Sequence, residues 1–279
     1  MKVYCFGEKE KPVIFLFPGT CCHWKGNFGK VIEPLEEYFR VACVSYDGFD
    51  ETEQTEFPTM TEETEKIEQY IKKEFGGHIC AAYGCSLGGS FVGLLAARGN
   101  IHMEYGILGG SDLDQSGKFL AKLMTKLMMP VFYPFIANGE MKIPFMKKKT
   151  DKIKKTDKML AEDNGYIRAF MDMIKTPDVD MSHITKRSVE NQFYSDLITP
   201  LPDQIDPSGT QIHILYALNM GEKYRACYKK HFAGPILHEL DLQHEELLAV
   251  YPDDWVKVIA EICNRKQGDC AARFKIKGS

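Results

Sequence analysis

Residues 78–97 read His-Ile-Cys-Ala-Ala-Tyr-Gly-Cys-Ser-Leu-Gly-Gly-Ser-Phe-Val-Gly-Leu-Leu-Ala-Ala, with Ser86 set between Gly84 and Gly88. A serine thrust out on a tight strand-to-helix turn takes a strained backbone conformation, and side chains two positions either side of it would collide. Glycine at both flanks removes the obstruction. The Gly-x-Ser-x-Gly spacing, preceded by an apolar run and followed by a helix-capable one, is the pattern that exposes a nucleophilic hydroxyl. A glycine-rich turn with an incidental serine fits the five residues but not their flanks.

A serine hydroxyl is a poor nucleophile at neutral pH and needs a neutral imidazole within hydrogen-bond reach. The chain has eight histidines. His78, His213 and His238 fall in runs that read as strands, and His102 directly precedes one. His183 lies in a helical region and His231 in a surface helix. Packing or solvation accounts for all six. His23 follows Pro18-Gly19 and could line a pocket. His244, directly after the last apolar run, is the stronger candidate for the base. Cys85 is a rival nucleophile by type, but the turn aims its central residue, Ser86, and sends the neighbour elsewhere. The amide of Leu87, at the start of the following helix, is placed to donate to an oxyanion.

These residues need a scaffold. Lys2 to Phe6 reads as a short edge strand. Pro12 to Phe17 is a continuous apolar run, the look of a strand buried on both faces. Phe28 to Phe39 has helical spacing, and Arg40 to Ser45 is the next strand. Thr59 with Glu62 forms a capping box opening a helix with Ile67, Tyr70, Ile71 and Phe75 inward, which Gly76-Gly77 stops. Met103 to Gly109, Gln211 to Leu218 and Ile236 to Leu242 are further strands. Glu222 to Phe232 and Trp255 to Cys263 are helices. Strands alternating with helices imply right-handed crossovers and a mostly parallel sheet with helices on both faces, the α/β class, whose active sites lie at the carboxyl ends of the strands.

From about Asp112 to Pro207 that rhythm breaks. This part is helical and rich in Met, Phe, Tyr and Lys. Phe119 to Met129 reads as an amphipathic helix interrupted by Pro130 and Pro134, and Met159 to Ile174 as another. Because the strands resume afterwards, the expected organisation is a core of residues 1–111 and 207–279 with a helical cap inserted at 112–206. The lysine-dense run Lys147 to Lys158 reads as a solvated helical face rather than an anion site.

Over 279 residues the composition is 44% hydrophobic and 27% charged, ordinary for a globular enzyme. The formal net charge of -4 argues against nucleic acid as the main partner. No apolar run is read as long enough to cross a bilayer, and the first residues turn polar too soon for a signal peptide. Nine cysteines is an odd number; they sit singly in strands and helices and lack zinc-site spacing. The expectation is a reduced, cytoplasmic protein needing no metal or organic cofactor.

Strand, Gly84-to-Gly88 turn, helix, interrupting cap, two more strands and a late histidine together resemble the α/β-hydrolase superfamily, and within it bacterial serine hydrolases. Phe15-Leu-Phe-Pro18-Gly19-Thr20 resembles the family's strand ending in His-Gly-x, with proline in place of histidine. Ser45-Tyr-Asp47-Gly48-Phe49 resembles its Asp-x-x-Gly-His-Gly loop. Gln243-His244-Glu245 falls where the family keeps its catalytic histidine. The resemblance implies a Ser86, His244 and acid triad, with the amides of Thr20 and Leu87 as the oxyanion hole. The family's acid follows the penultimate strand, where Glu222 is the one carboxylate of its loop. Asp112, after the preceding strand, is the alternative. Asp241 and Glu245 are set aside, because neighbours of the base rarely fold back onto its far nitrogen. The activity implied is hydrolysis of carboxylic esters through an acyl-serine. A thioesterase, acyltransferase or peptidase would use the same triad, and a non-catalytic binding protein could keep the fold.

Overall fold

The structure, a computed structural model, describes residues 1–113, 115–138, 165–176 and 179–264. Seven strands form one sheet: β1 (Lys2–Phe6), β2 (Val13–Phe17), β3 (Arg40–Ser45), β4 (His78–Gly84), β5 (His102–Leu108), β6 (Gln211–Ala217) and β7 (Ile236–Leu240). Their order is β1-β3-β2-β4-β5-β6-β7. Only the edge strand β1 runs antiparallel, against β3. The other pairs are parallel, in the alternation of strand and helix that the sequence predicts.

In β2 the side chains alternate between two apolar layers. Phe15 and Phe17 join one with Phe91, Ile71 and Ile214. Ile14 and Leu16 join the other with Trp255 and Ile259. A strand buried on both faces needs an uninterrupted apolar run, which 13–17 supplies. The register aligns Phe17 with Gly84 and Gly84 with Leu108, so β2, β4 and β5 end level and release their loops at one place.

Where a single helix is expected over 28–39, only the short α2 (Ile32–Leu35) forms, and α1 (Trp24–Phe28) ends as that stretch begins. Helix α3 (Met60–Phe75) opens on Thr59, whose hydroxyl oxygen accepts the Glu62 N–H at 3.2 Å while its O–H donates to the Glu62 carboxylate at 2.9 Å. It ends on left-handed Gly76. Helix α4 (Leu87–Arg98) follows the serine.

Helix α5 (Lys118–Asn138) passes straight through Pro130 and Pro134 instead of stopping at the first. Each proline removes one helical N–H, and packing supplies the continuity: Met129, Phe135 and Ile136 are buried. The stretch Lys118–Ala137 is also long and apolar enough, by length and composition, to cross a membrane, which corrects the reading that no such run exists. Lys118, Lys122 and Lys126 share one row of that helix, and Phe119 is 85% exposed. Helices α6 (Tyr166–Lys175) and α7 (Lys186–Ile198) complete the described helices between β5 and β6. The lysine run 147–158 and the first part of the helix expected over 159–174 lie outside the described residues. Helices α8 (Glu222–His231), α9 (Glu246–Val250) and α10 (Pro252–Cys263) close the chain; α9 is absent from the sequence reading.

Candidate active site

Ser86 sits between β4 and α4 with φ 49° and ψ -114°, outside the regions an L-residue prefers. Its glycine flanks answer direct steric demands. A Cβ on Gly84 would run into the backbone of Gly88 and Gly89, and one on Gly88 would lie 2.8 Å from the carbonyl carbon of Phe17. The half-buried serine is thereby raised at the N-terminus of α4.

The loop after β2 leans over it. A Cβ placed on Gly19 would be 3.6 Å from that of Ser86. Proline replaces the histidine that usually supports this loop, and other groups hold it. The Gly19 N–H donates to Asn27 Oδ1 at 2.7 Å, the Cys21 N–H to Gln192 Oε1 at 2.6 Å, and the Tyr46 hydroxyl to the Pro18 carbonyl at 3.1 Å. Gln192 belongs to α7, so a helix from between β5 and β6 holds the loop. Among the described residues, the N–H groups of Thr20 and Leu87 meet no acceptor. They are the two amides named for the oxyanion.

His244 follows β7 in a half-buried position. Its ring meets Phe170 edge-on, with centroids 5.7 Å apart at 76°. It also packs against Gly110, where an added Cβ would stand 2.7 Å from its Cε1. Tyr166 donates its hydroxyl to the His244 carbonyl at 2.9 Å. Among the described residues no hydrogen bond joins the Ser86 hydroxyl to the His244 ring; in unliganded sites such bonds are often long and tighten only with substrate. His23 is committed elsewhere. Its Nδ1 accepts the Lys25 N–H at 3.2 Å and its Nε2 meets Glu51 at 2.9 Å. Burial pushes its imidazole below the ordinary histidine range despite the Glu51 carboxylate.

The acid expected from sequence is not brought to this base. Gly221, at φ 96°, turns the chain into α8, and Glu222 points outward from its first turn. Its side chain is 76% exposed and pairs with Arg225 at 3.6 Å, with no hydrogen bond to the His244 ring among the described residues. Asp112 is exposed, near enough to Asp196 for its charge to act there. Burial and the Asp112 charge together push the Asp196 carboxyl up to about 7. Asp196, Ser90, Leu94 and Leu113 line a small cavity one turn along α4 from Ser86.

A carboxylate that the sequence reading sets aside does reach the serine. Glu245, buried at 6% exposure, accepts the Ser86 N–H at 2.8 Å and the Gly110 N–H at 2.5 Å on Oε1. Its Oε2 accepts the Tyr83 hydroxyl at 2.9 Å. Its backbone is left-handed, φ 54°, so the side chain turns inward beneath the loop that carries His244. No local signal announces this, since a lone glutamate after a histidine has no pattern that demands φ > 0.

Cys85 is fully enclosed, and burial with the Glu245 charge pushes its thiol well above the ordinary range. A thiol so rarely ionised is a poor nucleophile. Burial also pushes Cys22 up, to about 12. Among the described residues, no group of three His, Cys, Asp or Glu side chains could hold a metal ion.

With the fold and site in view, the comparisons with known proteins fall into place. No protein-family model matches the sequence, and no curated protein matches it. Solved structures do. A protein of the α/β-hydrolase family from Desulfitobacterium hafniense superposes with TM-score 0.73 at 19% identity, covering 94% of this chain and 100% of its own. An enol-lactonase from Burkholderia xenovorans LB400 gives 0.62 at 14% identity over 95% and 96%. An esterase from Exiguobacterium antarcticum gives 0.57 at 13% over 94% and 95%. The chain therefore has the α/β-hydrolase fold, as its sheet order and elbow require.

Proposed function

We propose that this chain is a serine hydrolase that cleaves carboxylic esters of modest size through an acyl-Ser86 intermediate. The observation that carries the reading is the strained elbow at Ser86, with His244 arriving at the same corner from the far end of the sheet. His244 takes the serine proton as the oxygen attacks the acyl carbon, and returns it to the departing alcohol. It then takes a proton from water, whose oxygen attacks the acyl carbon, and passes that proton to the departing Ser86 oxygen as the carboxylic acid leaves. The amides of Thr20 and Leu87 receive the oxyanion of each tetrahedral intermediate, typically worth a few kcal/mol per donor. No cofactor, metal or nucleic acid enters this scheme, and its setting is cytoplasmic.

In this reading residues 112–206 cap a core of residues 1–111 and 207–279, and Gln192 ties the cap to the oxyanion loop. Two neighbours of the fold, the enol-lactonase and the esterase, are named for reactions on carboxylic esters. Thioesterase, acyltransferase or peptidase chemistry would use the same residues, and a panel of ester, thioester and peptide substrates separates them.

The test is Ser86→Ala. It should abolish hydrolysis of short p-nitrophenyl esters and labelling by a fluorophosphonate probe while the protein stays folded. Full activity in that variant ends the proposal. For the third member of the triad, Glu222→Gln and Asp112→Asn compared side by side show which carboxylate, if either, serves His244.

A further inference from the structure

Among the described residues no hydrogen bond joins the Ser86 hydroxyl to the His244 ring, and the side chain next to His244 reaches across to the elbow instead. The Glu245 carboxylate is buried, and a single oxygen, Oε1, accepts both the nucleophile's own amide at 2.8 Å and the Gly110 amide at 2.5 Å. Gly110 is the residue on which the His244 ring lies. The far oxygen is held by Tyr83 at 2.9 Å, and Tyr83 is itself wedged edge-on against Trp255, with centroids 4.7 Å apart. A Cβ on Gly109 would come within 2.8 Å of Glu245 Oε2, so the loop after β5 leaves room for this carboxylate and little else.

We infer that Glu245 is a positioning residue: its carboxylate clamps the Ser86 elbow to the Gly110 loop, and so sets the distance from the nucleophile to the His244 ring. The inference rests on the serine-hydrolase reading for its consequence, but not for the clamp itself. Ser86 holds an unfavourable backbone conformation, which persists only where surrounding bonds over-determine it. The bond to its N–H is one of those. Because Oε1 alone receives both amides, a neutral amide oxygen serves equally well, and Tyr83 can turn its hydroxyl to accept from the new NH2.

The experiment compares Glu245→Gln with Glu245→Ala in the full chain, by labelling rate with a fluorophosphonate, by kcat and KM on p-nitrophenyl acetate, and by amide hydrogen exchange at Ser86 and Gly110. Glutamine should keep kcat within about threefold and both amides protected. Alanine should lower kcat and labelling by about 10- to 100-fold at unchanged KM, since misplacement near 1 Å costs rates of that order, and both amides should exchange fast. If the alanine variant does not fold, Glu245→Asp carries the same expectation, its carboxylate ending one methylene short. Wild-type kcat and protected amides in the alanine or aspartate variant overturn the clamp. So does a glutamine variant as slow as alanine, or one that fails to fold. If wild-type protein is not labelled at Ser86, the hydrolase reading fails, and the exchange comparison still decides the clamp.

Discussion

Gly110→Ala is the sharpest probe of where the base sits. Gly110 does not hold a left-handed φ, so alanine fits its backbone without strain. The added methyl would stand 2.7 Å from His244 Cε1 and 3.1 Å from Cγ, and closer still to Nδ1, where ordinary contact begins at 3.4 Å. The ring must retreat by about 1 Å, and a displacement of that size costs roughly 100-fold in rate, about 2.7 kcal/mol of barrier. Stability should suffer less. The ring is half-buried and bounded on one side by Phe170, so overpacking should fall near the low end of about 1–3 kcal/mol. The assay is kcat/KM on p-nitrophenyl acetate, beside a thermal melt and a Gly117→Ala control, whose Cβ meets nothing within 4 Å. A folded Gly110→Ala enzyme working at the wild-type rate would refute His244 as the base in this position.

Glu222→Gln should leave activity within about twofold, because an exposed pair such as Glu222 with Arg225 contributes at most about 1 kcal/mol to stability and reaches no reacting atom; a hundredfold loss of kcat would show that the loop before α8 swings in during turnover. Glu63 gives the pH test. Burial, then the nearby Asp47 charge, push its carboxyl from 4.5 to about 7 while it accepts the Asp47 N–H at 2.8 Å. Below the unfolded value both states are protonated. Between there and about 7 only the folded state keeps the proton, so folding loses about 3 kcal/mol as pH rises through that window. Glu63→Gln should abolish this loss and melt higher than wild type at pH 8, and an unchanged difference between pH 5 and pH 8 melts would contradict it.

What could be read from sequence is what local rules decide. Gly84 is demanded by contacts within five residues, although the space at Gly88 is closed by Phe17 of β2. Thr59 and Glu62 cap α3 by a bond across one turn, and β2 shows two-sided burial in its composition alone. The rest depends on neighbours distant in the chain. Pro130 and Pro134 sit inside α5 because packing continues a helix that propensity would break. Asn27 and Gln192 hold the loop after β2 from 8 and 171 residues away from their partners. Glu222, the one carboxylate in the loop after the penultimate strand, pairs with Arg225 at the surface, where the turn at Gly221 directs it. Glu245 is set aside as the acid for His244, and its hydrogen bonds to the Ser86 and Gly110 amides give it a different place, reached through a left-handed backbone that no sequence pattern demands.

The placement of strain argues that these loops are one construction. Among the described residues six non-glycine positions take positive φ, and four of them are Cys21, Ser86, Leu113 and Glu245. They lie in the loops leaving β2, β4, β5 and β7, all at the carboxyl edge. Each costs about 1–3 kcal/mol and persists only where its surroundings leave no alternative. Three of the four are tied to another of these loops or to the insertion: Cys21 through Gln192, Ser86 and Glu245 through each other. A sheet buried on both faces supplies the rigidity against which such conformations are held. Relaxing any one of them should therefore loosen its partners before it loosens the core. Local hydrogen exchange at the strand ends, faster in a Glu245→Ala protein whose β2 and β4 interiors stay protected, is the signature that this coupling requires.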